Sequence, residues 1–340
     1  MVGIQGAVLD RATKEFLSEI RPNGIILFSR NIENPRQLAE LNRDLQRYAL
    51  SMDLDPFFIS VDQEGGRVRR LREPFCSFPS SWEMAGSDDP IASVRNFAVQ
   101  TANELRLAGF NLDFVPVLDV VDENINLSST VIGDRSFGSN PETVARLGSL
   151  VITQMRAQGI IPCGKHFPGH GATAVDSHFD LPVDDRPFEV LFRRDLVPFQ
   201  KAIQNSVEML MTAHVLFPKI DTKFPATMSR IILEGLLRTQ IGFKGLIITD
   251  DLDMGAVSKR YSTERCVIES FQAGADILLI CNSQDKSVEA LISLRDAFNN
   301  GIFDEHRLFS SLDRIASLKR QYAKSFKPCD PEVVSQLFSC

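Results

Sequence analysis

Eight short apolar runs recur along the chain, at Val2–Ile4, Gly24–Phe28, Phe57–Val61, Leu112–Leu118, Ile160–Lys165, Glu208–Ala213, Gly245–Thr249 and Asp276–Ile280. Longer amphipathic stretches separate them. Near-continuous apolarity over so short a run is the pattern of a strand buried on both faces, as in a parallel sheet covered by helices. The intervening stretches carry helix signals. Asn140-Pro141-Glu142 opens one helix, Val144, Leu147, Val151 and Met155 share a face, and Gly159 stops it. Ser229 precedes Ile231, Ile232, Leu233, Leu236 and Leu237 in another predicted helix ending near Gly242. Strict alternation with a strand count of eight predicts an α/β fold of the (β/α)8 TIM-barrel type, a single catalytic domain over residues 1–325. The segment 326–340, with Pro328 and Pro331, is expected to form a tail packing on the barrel.

Polar residues collect just after these runs. Arg30-Asn31 follows the second, Asp62-Gln63-Glu64-Gly65-Gly66-Arg67 the third, Asp119 the fourth, Lys165-His166 the fifth, His214 the sixth, Asp250-Asp251 the seventh and Asn282 the eighth. Any one of them could cap a strand. Together they are what one site at the carboxyl end of a barrel requires, built from residues far apart in sequence.

The densest chemistry lies in Lys165-His166-Phe167-Pro168-Gly169-His170-Gly171 and its continuation to Asp176-Ser177-His178, which holds three of the five histidines. Pro168 and Gly169 forbid a helix, so the His166/His170 spacing does not read as paired zinc ligands. It reads as a strand opening into a loop, with residues 171–180 expected to move as a flap between Gly169 and Leu181-Pro182. On such a loop Asp176 can bond the neighbouring imidazole and raise its basicity, which makes His178 a candidate general acid/base.

Composition narrows the partners. The chain has 340 residues, 44% hydrophobic and 24% charged, with a formal net charge of -7. Without a basic run it is not expected to bind nucleic acid or an anionic membrane. The six cysteines (Cys76, Cys163, Cys266, Cys281, Cys329, Cys340) form no C-x-x-C pair, no run reaches transmembrane length, and no leader pattern opens the chain. A reducing cytoplasm is the expected home, a monomer is the default state, and no cofactor or metal is expected. The chain starts within a strand, which leaves room for a longer natural N-terminus.

A carboxylate on a strand end (Asp250), a histidine with its own carboxylate partner, and a ring of Asp, Arg, Lys and His able to bond hydroxyls meet the needs of retaining glycoside hydrolysis. Asp62-Gln63-Glu64-Gly65-Gly66-Arg67-Val68, Gly133-Asp134-Arg135-Ser136-Phe137, the Lys-His-Phe-Pro-Gly-His-Gly…Asp-Ser-His stretch and Ile248-Thr249-Asp250-Asp251-Leu252-Asp253-Met254 together resemble glycoside hydrolase family 3 over nearly the whole chain. Within it, the histidine signature resembles the bacterial β-N-acetylglucosaminidases of cell-wall recycling.

The resemblance implies Asp250 as nucleophile, His178 as acid/base paired with Asp176, and Asp62, Arg70, Arg135, Lys165 and His166 holding the sugar, with His214 close by. Asp251 competes with Asp250 for the nucleophile's role, and strand alternation lets only one of them face the site. The implied substrate is N-acetylglucosamine β-1,4-linked to 1,6-anhydro-N-acetylmuramic acid, with or without peptide. A phosphorylase, a metal-dependent hydrolase using His166, His178, His214 and Asp250, and a non-catalytic sugar-binding protein are the alternatives.

Overall fold

The computed structural model describes residues 1–122, 131–173, 176, 177 and 179–338. Its strands are β1 (Val2–Gly3), β2 (Gly24–Ile26), β3 (Phe58–Val61), β4 (Leu112–Asp113), β5 (Ile161–Phe167), β6 (Met209–Thr212), β7 (Leu246–Asp251) and β8 (Ile277–Leu279). They pair in chain order, all parallel. The Gly3 amide donates to Ile280 O and the Ile280 amide to Met1 O, which joins the last strand to the first and closes the barrel. Each of the eight expected strands is present. The fourth is shorter than its apolar run, because Pro116 cannot donate to the ladder; pairing with β5 resumes at Val117, opposite Lys165.

Helices cover the barrel from outside. Four open on an Asx-Pro dipeptide, at Asn34-Pro35, Asp89-Pro90, Asn140-Pro141 and Asp330-Pro331, and in each the Asx carbonyl or carboxylate accepts a first-turn amide. Helix Pro141–Ala157 buries Val144, Leu147, Val151 and Met155 as its spacing predicts. The segment Ile231–Gln240 is helical too, but wound as a π-helix, which its apolar spacing does not distinguish from an α-helix. Helix Pro331–Leu337 lies against helix Pro35–Ser51, and the Phe75 and Phe338 rings meet at 4.5 Å.

Side-chain parity decides what each strand sends inward. Met209, Met211, Leu246, Ile248, Ile277 and Leu279 form one cluster on the barrel axis, while Leu210 and Ile247 join the layer beneath the helices. On β7 this alternation gives Asp250 the parity of Leu246 and Ile248.

Candidate active site

A cavity of about 400 Å³ opens at the carboxyl ends of the strands. Ile26, Phe114, Met211 and Leu279 line its apolar part, and Asp62, Glu64, Arg70, Arg135, Lys165, His166, Asp176 and Asp250 line it with charge. The seven polar strand ends thus converge as expected of a barrel, although not all of them face the cavity.

The acidic wall is built by β3. The Gln63 amide donates to Asp113 Oδ1 at 3.0 Å, and Gln63 Oε1 accepts from the amides of Arg70 and Leu71 at 2.8 and 3.0 Å. This folds residues 64–71 back, with Gly65 and Gly66 at positive φ, and brings Arg70 Nη2 to 3.5 Å from Asp62 Oδ2. Lys165, its side chain only 2% exposed, meets Asp62 Oδ1 at 2.8 Å and Glu64 Oε1 at 2.6 Å through Nζ. Arg135 lays its guanidinium along Glu64, Nε to Oε2 at 2.8 Å and Nη2 to Oε1 at 2.9 Å. Burial alone would raise the Glu64 carboxyl, but Arg135 and Lys165 hold it far below the usual carboxylate range. Burial likewise works against the Lys165 ammonium, and Asp62 and Glu64 more than offset it, so Lys165 stays charged.

On β5, Lys165 and His166 are consecutive, yet both line the cavity. The ladder shifts register between Gly164 and Phe167, so strict alternation does not hold across this pair. His166 donates through Nδ1 to Asp119 Oδ2 at 2.7 Å, and the His170 amide donates to the other oxygen, Oδ1, at 2.7 Å. Buried Asp119 is lowered, the His166 and His170 rings outweighing its desolvation.

Asp250 and Asp251 separate clearly. Asp251 is tied into structure: Oδ1 accepts the amides of Asp253 and Cys281, each at 3.0 Å, and Oδ2 lies 3.4 Å from Asn282 Nδ2. Burial pushes its carboxyl up to about 6. Asp250 accepts the Asp251 amide at 2.8 Å, and its pKa is lowered despite burial, through His166, His214 and that amide. Both carboxylates reach the cavity lining, and Asp250 is the one whose carboxyl is lowered and whose side chain is not tied to the loops that follow.

His214, expected among the sugar-holding residues, is fully buried and is not part of the cavity lining. Its Nδ1 meets Thr227 Oγ1 at 2.8 Å, and Nε2 donates to Asp251 O at 3.0 Å, so it stands behind the end of β7. Asp176 lines the cavity; His178 lies outside the described residues. Sequence reasoning left His170 and Ser177 without a role, although both line the cavity. The signal for His170 was present in the same motif as His166. Asp113 went unremarked because it reads as the polar end of an apolar run; burial raises its carboxyl well above the usual range.

The model of the glycosyl hydrolase family 3 N-terminal domain matches residues 2–318. The chain belongs to glycosyl hydrolase family 3. A curated "Beta-hexosaminidase" from Nitrosomonas eutropha is 37% identical over 304 residues, covering 88% of this chain and 85% of that protein. The solved structure of a family 3 β-N-acetylglucosaminidase from Paenibacillus superposes with TM-score 0.91 at 38% identity over 95% of this chain, which spans 61% of that longer protein. A structure of NagZ from Neisseria gonorrhoeae, in complex with N-trifluoroacetyl-D-glucosamine, superposes with TM-score 0.78 at 34% identity, over 100% of this chain and 97% of that one.

Proposed function

We propose that this family 3 glycoside hydrolase is a retaining exo-β-N-acetylglucosaminidase. Its substrate is a peptidoglycan fragment in which N-acetylglucosamine is β-1,4-linked to 1,6-anhydro-N-acetylmuramic acid, with or without peptide. The observation that carries the reading is the ionised Asp250 carboxylate on the inner face of β7, opposite the Asp62-Lys165-Glu64-Arg135 wall. The similar proteins named β-hexosaminidase and β-N-acetylglucosaminidase support the N-acetylhexosamine specificity.

In the first step an Asp250 oxygen attacks the anomeric carbon as the bond to the glycosidic oxygen breaks, and His178, protonated, gives its proton to that oxygen. In the second, neutral His178 takes a proton from water, the water oxygen bonds to the anomeric carbon, and Asp250 leaves as carboxylate. Asp176 supports the charge on His178. Asp62, Arg70, Arg135, Lys165 and His166 bond the sugar hydroxyls and amide, with Glu64 held between Arg135 and Lys165. Arg67 on the cavity lining suits an acidic aglycone. The free thiols Cys76, Cys163, Cys266, Cys281 and Cys329 support a reducing cytoplasmic setting.

The test is release of 4-nitrophenol from its β-N-acetylglucosaminide by wild type, Asp250→Ala and His178→Ala, with mass spectrometry of the sugar in phosphate buffer. Asp250→Ala should abolish turnover, and His178→Ala should slow turnover of poor leaving groups by about 10²–10⁴. Turnover by Asp250→Ala at the wild-type rate would overturn the assignment. A sugar 1-phosphate as product would replace hydrolysis by phosphorolysis.

A further inference from the structure

Three side chains beside the cavity form a closed hydrogen-bonded unit that the mechanism above does not use. His170, Thr173 and Ser177 are 1%, 3% and 2% exposed. His170 Nδ1 lies 2.6 Å from Thr173 Oγ1, and that hydroxyl donates its one proton to His170 O at 3.0 Å. With the hydroxyl proton on His170 O, Nδ1 carries the ring proton and donates to Thr173, and Nε2 is left as an acceptor. The Ser177 hydroxyl, 3.0 Å from Nε2, is its donor. The main chain of Ser177 is held from another direction, since its carbonyl accepts the Ala256 amide at 3.0 Å, in the turn that follows Asp250-Asp251. At the far end of the unit the His170 amide binds Asp119, the carboxylate that also orients His166.

We infer that His170 is a positioning residue for the acid/base: through the Ser177 hydroxyl it fixes the middle residue of Asp176-Ser177-His178, and so the place from which the proton is delivered. The inference rests on the reading of Asp176 and His178 given above. One serine is thereby referred both to the strand end that binds the sugar and to the loop of the nucleophile. A ring that merely filled space would have no need of a fixed tautomer, or of an acceptor aimed at the residue between the acid/base pair.

Leaving-group dependence separates the two roles. Proton donation matters to a departing sugar or alkoxide and hardly at all to a dinitrophenolate, whereas general damage to the site lowers both. The variants are Ser177→Ala, His170→Ala and His170→Gln, whose amide oxygen can stand in for Nε2 as acceptor, with His178→Ala as reference. The readout is kcat/KM on chitobiose and on the 2,4-dinitrophenyl β-N-acetylglucosaminide, with and without azide. Ser177→Ala and His170→Ala should lose about tenfold on chitobiose, the value of one buried hydrogen bond, and less than about twofold on the dinitrophenyl substrate. Azide, which attacks without giving up a proton, should raise kcat on the dinitrophenyl substrate, and His170→Gln should recover part of the chitobiose rate. Equal losses on both substrates, or none on either, overturn the inference. If His178→Ala itself shows no such selectivity, it is the acid/base assignment that falls, and the two failures are told apart.

Discussion

Two titratable side chains of the site, buried His170 and half-buried Asp251, pull stability in opposite directions with pH. His170 is depressed to about 4 from 6.5, by burial first and the neighbouring His166 second. The unfolded chain takes up a proton there that the folded chain refuses. The contribution of this group is therefore intact above pH 6.5 and is lost as pH falls through about 4, by about 3 kcal/mol in all. Asp251 is raised to about 6 from 3.8, again by burial first. Its contribution is intact below pH 3.8 and is lost as pH rises through about 6. Between pH 4 and 6 the two slopes oppose. His170→Gln should gain stability relative to wild type as pH is lowered from 6.5 to 4, and Asp251→Asn should lose it over the same range, measured as urea midpoints. The same sign for both variants would refute this assignment of the shifts. Of the Asp250/Asp251 pair, strand alternation showed only that the two point to opposite faces; a run apolar at every position does not say which face is inward, and it was the likeness to the family motif that put the nucleophile directly after Thr249. The placement of His214 was not legible. A polar residue at a strand end reads alike whether it faces the cavity or, as here, reaches Thr227 and the Asp251 carbonyl behind it.

At the scale of elements, the site depends on how closely the chain after β5 passes the chain after β4. A Cβ on Gly171 would lie 2.2 Å from Val120 O and 2.5 Å from its carbonyl carbon, both backbone atoms. The Asp122 amide donates to Gly171 O across this contact, and Arg194 holds the Val120 and Val121 carbonyls from the other side. Neither strand extension can yield alone. Gly171→Ala should therefore separate them, destabilise the fold by about 2 kcal/mol or more, and lower kcat/KM by about 100-fold through displacement of the residues that follow. Gly86→Ala, where the new Cβ meets nothing closer than 3.5 Å, should leave both unchanged. Thermal melts and steady-state rates on the pair check this, and a Gly171→Ala enzyme indistinguishable from wild type would sink it. Strand order was legible because a strand buried on both faces is apolar at nearly every position. Two irregularities were not: the break at Pro116, and the register shift after Gly164, where Lys165 and His166 both line one cavity. Each depends on pairing with a neighbouring strand, which no local pattern encodes.

At the scale of the whole molecule, the groups that meet the sugar come from strands distant in sequence. Asp62 follows β3, Lys165 and His166 lie on β5, and Asp250 lies on β7; the Asp62–Lys165 ion pair alone spans 103 positions. A partly unfolded barrel would not hold these groups together, so a ligand in the cavity binds only the closed ring that Gly3 and Ile280 complete. Its binding free energy then adds to the stability of the entire fold. N-acetylglucosamine at a hundred times its Kd stabilises by about 2.7 kcal/mol. With an unfolding entropy of about 2.1 cal/mol/K per residue, a chain of 340 residues has about 0.7 kcal/mol/K, so Tm should rise by about 4 °C. Asp62→Ala removes an acceptor from the wall and one of the two carboxylates on Lys165. At the same sugar concentration its Tm should move by less than about 1 °C, since the site is then far from saturation. Calorimetry over a range of sugar concentrations decides it. A wild-type Tm that ignores the sugar, or an equal rise in Asp62→Ala, would mean that the sugar is not held by the groups these three strands bring together.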